Sequence, residues 1–459
     1  MNLLNLDRKS IEEMLKSGRL VIAIYGLGYV GLAIATVWLR AGGKVIGVDI
    51  DEKKVDKVNS LDLDIGEKVI YDTLLKAIED GRFYAIIDGV EASRKSNIKI
   101  ITVPIYLSRD RKPVFNAIID VSKKIGIGLK RGDIVIVESS VPPYTTRNIV
   151  KPVLEESSGL KAEIDFGLAY SPERIYIGRA VKDIEENYPK IVGGIGEKSA
   201  EVAKILYEVF VKKGVILLPD TVHAEFEKLI EGVYRDVNIA LANEIAEICR
   251  NIGLDYDLIR MAANSQPFCH LHKPGVGVGG FCIPLYSYFI INTAKKNRID
   301  PLIIKTARKI NENMPEKIVN LVEKMAKEHG LKDFRIAILG VAFRGGIDDT
   351  RLSPAVAIIK KLYEKGYRNM AVNDPYVKYC GELENLGLKI ERNIGRVLRN
   401  ADIILITTDH PEYFSLSLRK VYSLSGKDFI IIIDGKHVFK DLSEKPKGIK
   451  YIGVGKPAI

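Results

Sequence analysis

The sequence predicts an α/β protein with two doubly wound parallel-sheet domains joined by a central helical domain that contains one long helix. Three observations carry this. Short apolar, β-branched runs alternate with helical stretches in the first and last thirds of the chain, as in a parallel sheet. The run at 20–25 leads through Gly26-Leu27-Gly28-Tyr29-Val30-Gly31 into a helical pattern over 30–41. Residues 222–251 keep a helical pattern without a single proline.

In the first third, the glycine run is a Rossmann-like dinucleotide turn. Gly26 makes the tight bend, Gly28 admits a pyrophosphate, and Gly31 lets the helix pack on its strand. The helix N-terminus, at Tyr29 and Val30, faces the phosphates. The next strand, 44–48, ends in Asp49, whose carboxylate suits two ribose hydroxyls and repels a 2′-phosphate, so NAD is expected over NADP. A glycine turn in a flavodoxin-like sheet that binds nothing is the alternative. Further strands are expected at 97–103, 133–138 and 165–170. Ligands bind beyond the carboxyl ends of such strands, so Thr102 and Ser140 are candidate cofactor contacts. The last strand leads into Ser171-Pro172-Glu173-Arg174, a carboxylate and a guanidinium suited to a water and an anionic or hydroxylated substrate, or else to a surface ion pair.

In the long helix, Lys228, Gly232 and Arg235 share one face at i, i+4 and i+7, whereas Glu225 and Asn243 lie off it and read as structural. Gly232 costs such a helix about 1 kcal/mol relative to alanine and leaves a gap in that face. After the helix, Lys273-Pro274-Gly275-Val276-Gly277-Val278-Gly279-Gly280-Phe281-Cys282-Ile283-Pro284 delivers a cysteine just ahead of a helix whose first turn takes Pro284. Amide dipoles at such a place favour a thiolate nucleophile; a small buried cysteine is the alternative. A helix is expected over 301–328 with a break near Pro315, then a second α/β unit with strands at 335–339, 369–373, 402–407 and 429–433 and a helix at 354–365. Arg344 and Arg351 in its first loop suit forked phosphate contacts.

Composition narrows the partners. The 459 residues leave room for two or three domains, and no run is apolar enough to span a bilayer. The net charge of +10 is scattered along helices without a nucleic-acid motif, which suits an anionic small ligand. Four cysteines at irregular spacing form no zinc pattern, so no metal is expected; a Cys269–Cys282 redox pair stays open. The first residues lack a secretory apolar core, and a cytoplasmic protein is expected.

Taken in order, Gly26–Gly31, Ser171–Arg174, Glu227-Lys228-Leu229 in the helix reaching Ala242-Asn243-Glu244, and Gly277–Pro284 resemble the UDP-glucose/GDP-mannose dehydrogenase family. The phrase Tyr234–Glu244 most resembles its branch acting on UDP-N-acetylmannosamine, and the likeness covers nearly the whole chain. The resemblance implies an NAD-binding Rossmann-like domain at 1–218, a central helical domain with the cysteine loop at 219–328, and a UDP-sugar-binding Rossmann-like domain at 329–459. It implies two-step oxidation of a UDP-sugar's C6 alcohol through a cysteine thioester, with Cys282, Lys228 and Glu173 as catalytic groups. Lys54 joins the cofactor contacts already named. Substrate contacts are implied at Arg174 and Ile175, at Arg235 and Gly277, and at Phe343, Arg344, Arg351 and Lys436. A homodimer through the central domain and a place in polysaccharide biosynthesis are also implied. The alternatives are a UDP-glucose 6-dehydrogenase and a non-catalytic nucleotide-sugar-binding paralogue.

The chain departs from the family pattern at several positions. Gly232 stands where asparagine is usual, Tyr286 where aspartate is usual, and Phe281 where the branch often has histidine. Asn264-Ser265-Gln266-Pro267-Phe268 replaces a basic run, Arg344 stands where lysine is frequent, and Ile105-Tyr106 and Tyr144 stand where small residues or proline are usual. Loss of the asparagine and the aspartate removes two groups that would position a water or an oxyanion.

Overall fold

The computed structural model describes residues 2–63 and 66–459. Eight strands, β1 (Val21–Tyr25), β2 (Lys44–Val48), β3 (Phe83–Ile86), β4 (Ile98–Ile101), β5 (Ile134–Val137), β6 (Gly167–Tyr170), β7 (Lys190–Gly194) and β8 (Val215–Leu218), form the first sheet. Their order is β8-β7-β6-β5-β4-β1-β2-β3. The central strands β4 and β5 are buried along their full length and are all-aliphatic but for Lys99, as sheets covered on both faces require. Helix α1 (Tyr29–Arg40) follows β1 and is buried from Gly31 to Leu39. The order reverses between β1 and β4, so the glycine turn after β1 and Thr102 after β4 meet at the switch point, where open α/β sheets bind ligands.

Six strands, β9 (Ile336–Leu339), β10 (Met370–Asn373), β11 (Ile390–Glu391), β12 (Ile403–Ile406), β13 (Ile430–Asp434) and β14 (Ile449–Gly453), form a second, all-parallel sheet in the order β11-β10-β9-β12-β13-β14. The helices of the middle and last thirds include α2 (Thr221–Asn251), α3 (Tyr256–Ala263), α4 (Cys282–Lys296), α5 (Leu302–Glu328) and α6 (Pro354–Glu364), of which α5 and α6 pack on one another. The chain divides into two compact units, residues 1–231 with 288–296, and residues 232–287 with 297–459. Each has its own aliphatic core.

Four features differ from the sequence expectation. β6 and β7 pair antiparallel, so β7 and β8 run against the rest of the sheet. β3, β7, β8, β11 and β14 have no counterpart in the sequence expectation; β7 ends in two glycines and β8 is only half covered. Cys282 is the first residue of α4 rather than the residue ahead of it. No break occurs at Pro315, since α5 runs through it. A proline there cannot donate to the carbonyl four residues back, that of Asn311, and the cysteine loop comes close at this point. A Cβ on Gly277 would lie 3.3 Å from the Asn311 oxygen.

Among the described residues no helix is long and apolar enough to cross a membrane, and no group of three His, Cys, Asp or Glu is placed to hold a metal ion. All four cysteines are free thiols, so Cys269 and Cys282 form no disulfide.

Candidate active site

In the first unit the glycine turn is a cradle shaped for a ligand. A Cβ on Gly31 would meet the Gly26 carbonyl oxygen at 1.9 Å, so helix and turn touch only because no side chain intervenes. Gly26 takes φ +108°, a left-handed conformation that favours glycine. Gly28 differs, because a Cβ there would meet nothing within 4 Å. The fold itself does not require a bare backbone at Gly28; an approaching pyrophosphate does, and a dinucleotide fits this turn.

Asp49 accepts hydrogen bonds from the Leu27 N–H at 2.9 Å and from Lys54 Nζ at 3.0 Å. Burial works to raise its pKa, but the Leu27 N–H, Lys54 and the Asp51 N–H hold it below the usual carboxylate range. A charged carboxylate therefore stands at the end of β2. The Thr102 hydroxyl lies 2.9 Å from both the Tyr25 and Gly26 carbonyls and braces the turn. The Tyr29 hydroxyl donates to Glu67 at 2.5 Å and accepts from the Gly178 N–H at 2.6 Å, which leaves Tyr29 and Val30 to offer backbone N–H groups to a ligand. Ser140 is half-buried beyond the end of β5.

Beyond β6, Glu173 forms an ion pair with the buried Lys190, which also meets Glu138 at 2.9 Å. Burial pushes Glu138 up to about 8, and the Tyr207 hydroxyl donates to it at 2.6 Å. Arg174 is not open either. It meets Glu231 at 3.1 Å and Glu227 at 4.0 Å, and it donates to the Pro189 carbonyl. Ile175 packs on the core. Lys228 is nearly covered and lies 3.8 Å from Glu231.

Glu225 accepts from the backbone N–H groups of Tyr144 at 2.6 Å and Thr146 at 2.7 Å, the structural role its off-face position implied. Burial nevertheless pushes its carboxyl up from 4.5 to about 7. The folded chain thus holds this proton more tightly than the unfolded chain. The resulting stability is complete below about pH 4.5 and is lost as pH rises through about 7. Glu225→Gln should lower the melting temperature at pH 5 and flatten its decline toward pH 8. A gap between wild type and variant that stays constant across pH would contradict this.

In the second unit the cysteine loop is held from several sides. The Gly275 N–H donates to Asn243 Oδ1 at 2.9 Å, and Asn243 Nδ2 donates to Asn311 at 3.0 Å. Asn311 Nδ2 in turn donates to Asp236 at 2.7 Å, as does Ser287 Oγ. The Arg308 guanidinium, 3.1 Å from Asp236, compensates its charge. This buried chain ties α2, α4 and α5 to the start of the loop. Asn243 reads as structural in the sequence, and the other polar residues did not stand out there because each reads as an ordinary helix position.

The glycines then thread a narrow path. A Cβ on Gly277, where φ is +134°, would lie 3.1 Å from Pro354, and one on Gly279 would lie 2.6 Å from the Leu352 carbonyl. Gly280, at φ +82°, lies under the Phe343 ring, and its N–H donates to the Arg351 carbonyl at 3.0 Å. Lys436 Nζ lies 3.8 Å from where a Gly275 Cβ would be. Cys282 emerges exposed at the first position of α4. The predicted substrate residues Gly277, Phe343, Arg351 and Lys436 thus gather about this one loop. Arg344 is half-buried one residue past Phe343. Arg235 is exposed on α2, and burial followed by the neighbouring charges of His270 and Arg235 lowers the pKa of His272, just ahead of the loop.

The two departures at Gly232 and Tyr286 are one feature. A Cβ on Gly232 would lie 2.4 Å from Tyr286 Cδ2. The Tyr286 ring, only 6% exposed, fills the notch that the glycine leaves in α2. An asparagine at 232 would have to displace the ring, and an aspartate at 286 would leave the notch unfilled.

Comparison with known proteins agrees over most of the chain. Sequence models of the UDP-glucose/GDP-mannose dehydrogenase family match as its NAD binding domain at 20–211, its central domain at 222–313 and its UDP binding domain at 337–441. A UDP-N-acetyl-D-mannosamine dehydrogenase of Pyrococcus horikoshii is 36% identical over 95% of this chain and 99% of its own length. The solved structure of UDP-D-ManNAc dehydrogenase from Pyrococcus horikoshii superposes with a TM-score of 0.87 at 35% identity, covering 95% of this chain and 99% of that one. An NDP-N-acetyl-D-galactosaminuronic acid dehydrogenase of Methanosarcina mazei superposes with a TM-score of 0.81 at 31% identity, covering 99% and 98%.

Proposed function

The chain belongs to the UDP-glucose/GDP-mannose dehydrogenase family and is an NAD-dependent nucleotide-sugar dehydrogenase. From that premise we propose that it oxidises the C6 alcohol of a UDP-N-acetylhexosamine, UDP-N-acetylmannosamine first among them, to the uronate in two steps through a thioester on Cys282. The observation that carries this reading is the placement of Cys282, exposed at the start of α4 on a clamped glycine loop.

The chemistry follows from the groups present. NAD would supply the hydride acceptor, one molecule for each of the two oxidations, and the turn at Gly26–Gly31 with Asp49 at the ribose would hold it. Oxidation of the alcohol removes a hydride and a proton and leaves an aldehyde; Lys228 accepts the proton or holds the oxyanion. The Cys282 thiolate adds to the aldehyde carbon, forming a C–S bond and a thiohemiacetal. Loss of a second hydride gives the thioester, and water then breaks the C–S bond to release the carboxylate and the free thiol. Glu173, ion-paired with Lys190, orients that water. Arg344, Arg351 and Lys436 take the diphosphate, the charge that a basic loop set fits best. Arg174, Ile175 and Arg235 complete the sugar side, with Gly277 and Phe343 lining the loop.

The proposed organisation has three domains, at 1–218, 219–328 and 329–459, supported by where the family models begin and end. The proposed assembly is a homodimer through the central helices. Exposed Tyr234, Leu241 and Ile248 recur along α2 at spacings of one face, Ile252 follows just past its end, and Leu258, Ile259 and Met261 extend the apolar surface onto α3. Sedimentation should give a dimer, and Leu241→Glu should shift it toward monomer. A cytoplasmic place in polysaccharide biosynthesis accords with this activity.

Incubation with NAD and a panel of UDP-sugars tests the assignment. NADH should appear fastest with UDP-N-acetylmannosamine. A preference for UDP-glucose would reassign the sugar, and silence from every UDP-sugar would remove the proposal.

A further inference from the structure

The residue before the nucleophile is tied to a phosphate-type arginine. The Arg351 guanidinium carbon lies 5.4 Å from the Phe281 ring centroid, within cation–π range. Asp349 holds one edge of the same guanidinium, with Nε 3.0 Å from both carboxylate oxygens and Nη2 2.5 Å from Oδ2. Phe281 thus meets the face and Asp349 one edge, while the side chain stays 61% exposed, so an anion can approach from the solvent side. The backbones are joined as well. The Gly280 N–H donates to the Arg351 carbonyl at 3.0 Å, and the Phe343 N–H donates to the Asp349 carbonyl at 3.0 Å. Leu352, an exposed non-glycine residue at φ +49°, takes a left-handed conformation between Arg351 and the turn into α6. Such strain persists only where the surroundings impose it.

We propose that Phe281 is a positioning residue that transmits engagement of a nucleoside diphosphate at Arg351 to the thiol of Cys282. The proposal rests on the reading of Arg351 as a diphosphate contact. An anion on the guanidinium fixes its plane, the guanidinium fixes the ring it covers, and the ring's backbone is the last link before α4. A bound nucleotide then holds the nucleophile more firmly through these contacts, so the thiol reacts faster in the nucleotide complex than in the free protein. Phenylalanine serves this purpose as a flat, uncharged face for a cation, where a protonated histidine would repel it.

The test needs no turnover. The rate of Cys282 alkylation by iodoacetamide is read, by mass of the Cys282 peptide, with and without UDP, a ligand that lacks the sugar and so cannot cover the thiol as substrate would. In the wild-type protein UDP should raise the rate several-fold. Phe281→Leu should bind UDP by calorimetry yet lose the enhancement, and Phe281→Tyr, which keeps the aromatic face, should retain it. With substrate, Phe281→Leu should lose kcat more than it raises KM. An alkylation rate unchanged or lowered by bound UDP, or an enhancement kept in Phe281→Leu, overturns the coupling and leaves the assigned function standing. Failure of UDP to bind at all overturns both.

Discussion

Cys282→Ala should abolish uronate formation, lowering it by roughly 10³-fold or more, as removal of a covalent nucleophile does elsewhere. The aldehyde needs no thiol to form, so the variant is expected to stop at or before that stage. The substitution is at an exposed first-turn position and should change stability by about 0.5 kcal/mol or less. Loss of product with unaltered melting and unaltered UDP binding therefore isolates the chemistry. The measurement is the uronate and aldehyde content of the reaction, resolved by mass. Uronate at the wild-type rate from the alanine variant would exclude a thioester.

The second large effect concerns Gly232 and Tyr286. Any side chain at Gly232 must displace the ring, whose Cδ2 stands 2.4 Å from the Cβ position. The Tyr286 side chain is buried, so moving the ring disturbs its packing. Gly232→Asn should cost about 1–3 kcal/mol through overpacking, set against the small gain in helix propensity from losing glycine. Tyr286→Asp alone should also destabilise, because it leaves a cavity beside a buried carboxylate. The double variant should recover at least about 1 kcal/mol relative to the sum, a coupling expected of residues in contact. Melting curves and kcat/KM for the four proteins form the cycle. Additive effects would mean that the two positions are independent.

The contrast between pattern and packing explains what the sequence disclosed. The first turn was legible because each glycine answers to a separate constraint: Gly26 a left-handed φ, Gly31 a carbonyl at contact, Gly28 an open side. The long helix was legible from its periodicity, and its ends fall within a residue of expectation. Strands β7 and β8 were not, because glycine and partial exposure blur the period-2 pattern that marks a strand. The antiparallel pairing of β6 and β7 is a tertiary choice with no local signature. At the candidate site the sequence singled out the charged and reactive residues but not their restraints. Asn243, Asn311, Asp236 and Ser287 form a chain only after three helices assemble. The sequence left Glu173 and Arg174 either as water and substrate contacts or as a surface ion pair, and in the fold each is ion-paired, with Lys190 and Glu231 respectively. Gly232 and Tyr286 looked like two separate losses, and the structure makes them one exchange of volume.

The central claim is a two-step oxidation that passes through an acyl group on Cys282. The most direct test counts NADH formed per UDP-N-acetylmannosamine consumed at full conversion, with acid-quenched enzyme weighed for an acyl adduct on the Cys282 peptide. Two NADH per sugar, together with an adduct on that peptide, is the expected result. One NADH per sugar with a free aldehyde as product, and no adduct, would contradict it.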